Sequence, residues 1–431
     1  MSAGFKYLDL STIPDEWAAD YFGNLVDYNL GRTPPRNNPE YWKDGIYPWV
    51  SISDMTPYGV IRETTEKVSQ RAFDEVFRGR LAPQGSLLMS FKLTIGRVSC
   101  LGVPAFHNEA IISFKPDPEK ISPEYLGYYL SQINYNDYQD TAIKGQTLNK
   151  GKLDSLEIAL PPLPEQRAIA HTLSAVQRSI KAQERIIQTT TELKNALMQK
   201  LFSEGLRGEP RKETEIGLVP ESWDVCSIGD VAMIQSGGTP SREATENWNG
   251  GTIPWVKTGE INYCTITDTE EKITPLGLAN SSARIFPKGT LLMAMYGQGI
   301  TRGRVGLLDI DAATNQACAA VIPLDSAKTP TQFLYYFFEY SYERLRQLGH
   351  GANQKNMSAT LIRSFTLTLP GQNEQEEIAA ALSALDQKLT RHHKKLASNR
   401  ALFRTLLREL ITTKARVHHS GLSKSTTASI R

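Results

Sequence analysis

The chain reads LPPLPEQRAIAHTLSAV from Leu160 to Val176 and LPGQNEQEEIAAALSAL from Leu369 to Leu385. Leu-Pro, Glu-Gln, Ile-Ala and Leu-Ser-Ala return in the same order 209 positions later (369 against 160). In both copies a Pro-containing boundary opens onto a tract free of Pro and Gly, residues 165–204 and 374–414. That is the composition of a long helix. A helix entered twice in the same words marks an internal duplication, and the duplication decides the fold.

Working outward, a shift of 206 residues aligns PDEW at Pro14 with PESW at Pro220. It also pairs Thr33-Pro34 with Thr239-Pro240, Trp42 with Trp248, and YPWV at Tyr47 with IPWV at Ile253. Small changes of offset then match LLM at Leu87 with Leu291, GRV at Gly96 with Gly303, HNEA at His107 with TNQA at Thr314, and Gln146 with Gln354. One unit of about 200 residues is therefore written twice, a length that suits whole domains and not solenoid repeats. The halves diverge in 52–80 against 258–284 and in 131–150 against 338–358. A shared scaffold with different loops suits two related but distinct recognition surfaces.

Each unit begins with β-rich runs (SLLMSFK, TLLMAMY, EAIISFK, SFTLTL) broken by Gly and Pro, with helical pieces such as PEYLGYYLSQI. This predicts an α+β globule. The long tracts then show a heptad. Ile169, Val176, Gln183, Thr190 and Leu197 form one series, and Leu173, Ile180, Ile187, Lys194 and Leu201 the other. The second tract gives Ile378, Leu385, His392, Asn399 and Leu406 beside Leu382, Leu389, Leu396, Phe403 and Leu410. Such a seam predicts a coiled coil. Gln183, Thr190, His392 and Asn399 are polar seam residues expected to fix register, with the two helices pairing antiparallel so that their polar centres meet. Forty residues at 1.5 Å rise make a rod of roughly 60 Å, expected to carry the two globules at opposite ends in a pseudo-twofold arrangement. The boundaries expected are a first globule over 1–162, a helix over 163–205, a junction over 206–219, a second globule over 220–371, a helix over 372–416 and a disordered tail over 417–431.

Bulk properties exclude more than they decide. Hydrophobic content of 40% with 22% charged residues fits a folded globular chain. No apolar run reaches the roughly 18 residues of a membrane span, and MSAGFKYLDL lacks a signal-peptide core, so the expected location is the cytoplasm. The four cysteines are scattered without metal-ligand spacing and read as isolated reduced thiols. A net charge of +2 leaves any nucleic-acid contact to local basic patches.

Catalytic motifs fail on spacing. GQTLNKGK at Gly145 has five residues between its glycines and Leu153 after the lysine, so it is no phosphate loop. GQGITRG at Gly297 places Arg302 where a dinucleotide fingerprint needs glycine. NPEY at Asn38 carries Glu40 where a methyltransferase motif has proline, and PDPEK at Pro116 is too short for a nuclease centre. No nucleophile–base arrangement occurs in both halves.

Polar loops do occur in both. GRTPPR supplies Arg32, Thr33 and Arg36, and GGTPSR supplies Arg242. SFKLTIGR supplies Lys92 and Arg97; Lys257 follows IPWV; YGQGITRGR supplies Gln298, Arg302 and Arg304. IKGQTLNK adds Lys144, Gln146 and Lys150, and GHGANQKNMS adds Asn353, Gln354 and Lys355. Arg, Lys, Asn and Gln contact phosphates and read purine edges, so these are the candidate DNA-binding residues, with plain surface charge as the competing reading. From Gln387 to Arg416 the second tract holds nine Lys/Arg against one acid, Glu409, which suits a solvated face, DNA or an acidic partner.

Taken together, the twofold LPP…EQ…IA and LPG…EQ…IA entrances, the GLRG…TEIGLVPESW junction and the paired GxTP and PWV anchors resemble the specificity subunit of type I restriction-modification systems. The resemblance covers nearly the whole chain. GQNEQ at 371–375 departs from the usual Pro-rich second entrance. It implies two target recognition domains reading the halves of an asymmetric bipartite DNA site, with the helices as spacer. It also implies double-stranded DNA, two modification (methyltransferase) subunits and restriction (translocase-nuclease) subunits as partners. S-adenosylmethionine, ATP and Mg are expected on those partners, and no cofactor, metal or catalytic residue in this chain. Two rival readings are a similar subunit serving a fused nuclease–methyltransferase, and a duplicated coiled-coil adaptor without a DNA role.

Overall fold

The structure, a computed structural model, describes residues 13–92, 94–135, 148–296, 300–348 and 357–412. The chain divides into two compact units, residues 1–183 with 395–431 and residues 184–394. Each unit holds one globule and part of each long helix, so the division cuts across the helices, Leu163–Glu204 and Gln372–Ile411.

The first globule is built on a five-stranded sheet in the order Tyr28–Leu30, Ile111–Phe114, Leu87–Ser90, Val98–Leu101, Gly59–Ile61. Every residue of Leu87–Ser90 is buried, because both faces of the sheet are covered. Leu87 and Met89 join one core with Phe114 and Leu126, while Leu88 joins another with Val50 and Leu101. This explains a continuous apolar run where a one-sided strand would alternate. A smaller sheet, Glu66–Val68, Tyr47–Val50, Phe106–His107, carries the YPWV anchor. Ala18–Tyr21 pairs antiparallel with Glu157–Leu160, closing the start of the globule on its end.

The second globule repeats the plan. Its five-stranded sheet runs Ala232–Ser236, Cys318–Pro323, Leu291–Ala294, Val305–Leu308, Cys264–Ile266, and Asp224–Ser227 closes on Thr366–Leu369. Leu291 and Met293 face one core and Leu292 and Ala294 the other, as in the first globule.

The repeated Glu-Gln is the joint between globule and helix. Glu165 and Glu374 lie buried in the first turns of the long helices, where the helix dipole favours an anion. Each accepts the indole N–H of the tryptophan that opens its globule, Trp17 at 3.2 Å and Trp223 at 3.3 Å. Gln166 and Gln375 reach back to the carbonyls of Pro161 and Pro370, both at 2.8 Å. The departure at Gly371 therefore leaves the joint intact. Glu374 also accepts the backbone N–H of Leu206 at 2.7 Å, just after the first helix ends at Glu204 and Gly205 follows with a φ of +67°, the left-handed stop that glycine supplies.

All twenty seam positions are buried or half-buried, as the heptad predicts. In the first unit the start of the first helix (Ile169, Leu173) shares a core with the end of the second (Phe403, Leu407, Leu410). In the second unit the end of the first (Met198, Leu201, Phe202) meets the start of the second (Ile378, Leu382). The helices are thus antiparallel in both. Gln183 and Thr190 are buried and His392 and Asn399 half-buried. Asn399 donates to the Ser179 hydroxyl at 2.9 Å, so Ser179, and not only the polar seam residues, partners the centre.

The seats of the two globules differ. In the first unit, Phe403 packs its ring against Tyr58 and Tyr128. The matching seam position in the repeat is Lys194 (403 against 194), whose ammonium lies 2.8 Å from Glu339 and 2.7 Å from Asp386 with its side chain 7% exposed. Tyr336 donates to Asp386 at 2.9 Å, where Tyr128 donates to Gln177 in the first unit. Burial outweighs the lysine and holds the Glu339 carboxyl above its ordinary range.

Candidate nucleic-acid interface

The two Thr-Pro loops share one geometry. The Arg36 guanidinium stacks 3.9 Å from the Trp42 ring and 4.9 Å from Trp49, and its two terminal nitrogens bond the two oxygens of Glu66. Arg242 stacks 3.7 Å over Trp248 and 5.1 Å from Trp255, and bonds Glu271 twice at 2.9 Å. Trp49 donates to the Arg32 carbonyl and Trp255 to that of Gly238, both at 3.0 Å. Thr33 donates to Glu109 and Thr239 to Gln316. Hydrogen bonding from Thr33 holds Glu109 below its usual range, and that from Arg242 does the same for Glu271. The repeated arginines are thereby engaged by the fold itself, as bidentate, stacked clamps that join the loop to the small sheet.

Other candidates are similarly committed. Arg97 donates to the carbonyls of Ile52 and Met55, at 3.0 and 3.2 Å. Arg304 bonds Asn262, Arg302 the carbonyl of Arg346, and Lys257 the Glu270 carboxylate at 2.8 Å. Lys92 is half-buried over the Phe91 ring, while Lys150 is exposed at the start of the short helix Lys150–Asp154. Lys144, Gln146, Gln298, Asn353, Gln354 and Lys355 lie outside the described residues, as do 413–416 of the second long helix and the tail from 417.

A cleft of about 540 Å³ in the first globule gathers cations that have no carboxylate partner among the described residues, Arg32, Arg78, Arg80 and Lys115. Of these, Arg32 alone is among the candidates drawn from the sequence; its guanidinium reaches the Val76 carbonyl at 3.0 Å. Arg78 and Arg80 come from FRGR, in a stretch where the halves diverge, and that divergence is the signal that points to them. His107 at the cleft wall is held neutral by burial, its pKa pushed down to about 4. No cluster of three or more His, Cys, Asp or Glu able to hold a metal occurs among the described residues, and none of their helices is long and apolar enough to cross a membrane.

Two successive stretches, residues 14–192 and 220–398, match the type I restriction modification DNA specificity domain. The chain belongs to that family. Two specificity domains account for most of its length, each taking in one globule and the greater part of the helix that follows. Among specificity subunits, that of type I restriction enzyme MjaVIII from Methanocaldococcus jannaschii is 23% identical over 432 residues, 96% of either chain. The crystal structure of a type I restriction-modification S subunit from M. genitalium shares the fold at a TM-score of 0.62 and 16% identity, covering 91% of this chain and 96% of that one. A second structure, described under complex assembly and conformational transition of the type I R-M system, shares it at 0.53 and 17% identity, covering 93% and 98%. Within this chain the two clamps belong to the scaffold that both specificity domains share, and the diverging loops mark where the two domains differ.

Proposed function

We propose that this chain is the non-catalytic, sequence-reading subunit of a type I restriction-modification complex. Each globule reads one half of an asymmetric bipartite DNA site, and the paired helices set the distance between the halves. The chain also scaffolds two methyltransferase subunits and the translocase-nuclease subunits, which supply S-adenosylmethionine, ATP and Mg chemistry. The observation that carries this reading is one scaffold built twice, with the same sheet order, clamp and helix joint, but with different residues in the loops around the clamps. Identical surfaces would read a palindrome; dissimilar ones read two different words.

The test is to purify the chain with its modification subunits, add random-sequence DNA, and map methylated adenines. A gapped motif with two unlike halves is the expected result. Methylation without sequence preference, or a continuous motif, overturns the reading.

A further inference from the structure

The basic cleft of the first globule is not explained by the shared scaffold. Arg32, Arg78, Arg80 and Lys115 face one carboxylate, Asp27, so the lining carries a formal charge of +3 (four cations less one anion) with His107 neutral. All four cations have exposed residue surface, and among the described residues none has a carboxylate partner. Arg36 and Arg71, in the same globule, are both ion-paired.

The second globule shows that the fold does not require them. Strand register places Ile322 opposite Met233 just beyond Val321, where the first globule continues from Phe114 to Lys115. Gly238 stands in place of Arg32 and Ser282 in place of Arg78. The remaining arginine, Arg284 for Arg80, bonds Gln235 at 3.3 Å. Gly238 lies so close to Ser282 and Ala283 that a Cβ there would meet them at 2.3 to 2.4 Å, so no side chain fits. The second globule forms the same sheet order with a single arginine at these four positions, and among the described residues no carboxylate pairs with the cations of the first globule.

The chemistry of the lining selects an anion with several oxygens. Three guanidiniums present planar forks suited to phosphate. The three aromatic residues of the wall, Phe77, Phe106 and Phe114, are all buried, the first two stacked on each other at 3.9 Å, so they offer no face to a base. We propose that this cleft is a phosphate site, and that on DNA it takes a backbone phosphodiester beside the half-site read by the first globule. The proposal rests on the DNA-reading function above and adds an asymmetry to it: the first globule grips the backbone at a point where the second does not. Such a grip positions the protein and raises affinity without choosing bases.

The test uses the full chain with its modification subunits and the triple variant Arg78→Gln, Arg80→Gln, Lys115→Gln, whose exposed positions leave the core untouched. DNA binding is measured from 50 to 300 mM salt. The variant is expected to bind at least tenfold more weakly at about 150 mM salt, and its plot of log K against log salt flattens by about 0.9 for each phosphate no longer neutralised. The methylated motif stays the same. Arg78→Lys with Arg80→Lys keeps the slope, and Arg284→Gln leaves DNA binding unchanged. Wild-type affinity and slope in the triple variant overturn the inference alone. Failure of the wild-type complex to bind DNA overturns the functional reading and this inference together. Calorimetry with inorganic phosphate separates the two sources of the anion: phosphate binding abolished in the variant while DNA binding is unaltered assigns the cleft to a free phosphate ligand and overturns the DNA role.

Discussion

Replacing Lys194 with methionine tests the account of how the second globule is seated. The ammonium lies 2.8 Å from Glu339 and 2.7 Å from Asp386, with side-chain exposures of 7%, 17% and 32%. At an effective dielectric of about 20, each pair is worth roughly 6 kcal/mol in gross Coulomb energy, most of it offset by desolvation. Breaking a buried pair costs about 3–5 kcal/mol, because the remaining charge is left uncompensated. Asp386 retains access to water, which places the expected loss near the lower end, about 3 kcal/mol. For a unit of this size that lowers Tm by about 6–12 °C. The pH dependence separates charge from packing. Glu339 is already held above its ordinary range by burial, so the folded state binds protons more readily than the unfolded one. Stability from this group is fully present below the ordinary glutamate range and declines as pH rises through the raised value. Removing the lysine raises that value further, so the deficit of Lys194→Met is expected to be larger at pH 8 than at pH 5. Calorimetry across that interval gives the answer. A deficit of the same size at both pH values refutes the ionic account and leaves only a packing defect.

Three further outcomes are expected. Glu374→Ala strands the buried indole N–H of Trp223 and the N–H of Leu206, and should cost about 2–3 kcal/mol in denaturant unfolding; a loss under 0.5 kcal/mol contradicts the joint described above. Arg36→Met and Arg242→Met remove a stacked, bidentate clamp and should each lower stability by about 1 kcal/mol, while the salt slope of DNA binding is unchanged. A slope that flattens would make the clamps phosphate-binding groups. Deleting one heptad at matched positions of both long helices shortens the pair by about 10 Å and should bring the methylated half-sites about three base pairs closer; an unchanged gap in the methylation map rejects the spacer role.

The parts of the fold legible in the sequence are those that local chemistry dictates twice. Helix entrances, heptads and buried strands each carry their own signal, and the duplication repeats it, so α+β globules and two long helices followed from composition and period. Side-chain partners did not follow, because they come from the pairing of distant segments. Arg36 reads as a free loop arginine until strand pairing brings Glu66, thirty positions on, to its guanidinium. Arg97 looks equally free until the turn at Ile52–Asp54 and the residue after it present the carbonyls of Ile52 and Met55. Lys194 reads as a fault in an apolar series, since Glu339 is 145 positions away. The basic cleft draws Arg32, Arg78, Arg80 and Lys115 from three separate segments, and no single stretch announces it. Repetition in the sequence therefore located what the scaffold needs, and the unrepeated positions hold what distinguishes the two halves.

That distinction bears on how a duplicated chain reaches one structure. Both globules present the same Glu–Trp joint, and both helices present an apolar seam, so those features alone do not say which helix end seats which globule. The unlike seats do. Phe403 fits among Tyr58 and Tyr128, whose hydroxyls are already satisfied by Ser131 and Gln177. A lysine there would be buried without a counter-charge. Lys194 fits between Glu339 and Asp386; a phenylalanine there would leave two carboxylates facing each other beside an apolar helix. Each wrong seating carries a penalty of several kcal/mol from an unpaired charge, comparable with a sizeable fraction of a domain's whole stability. The net strength of the Lys194 triad is modest, as for most buried ion pairs. Its larger effect is to make the alternative seating unfavourable, which an apolar seat in both units would not do.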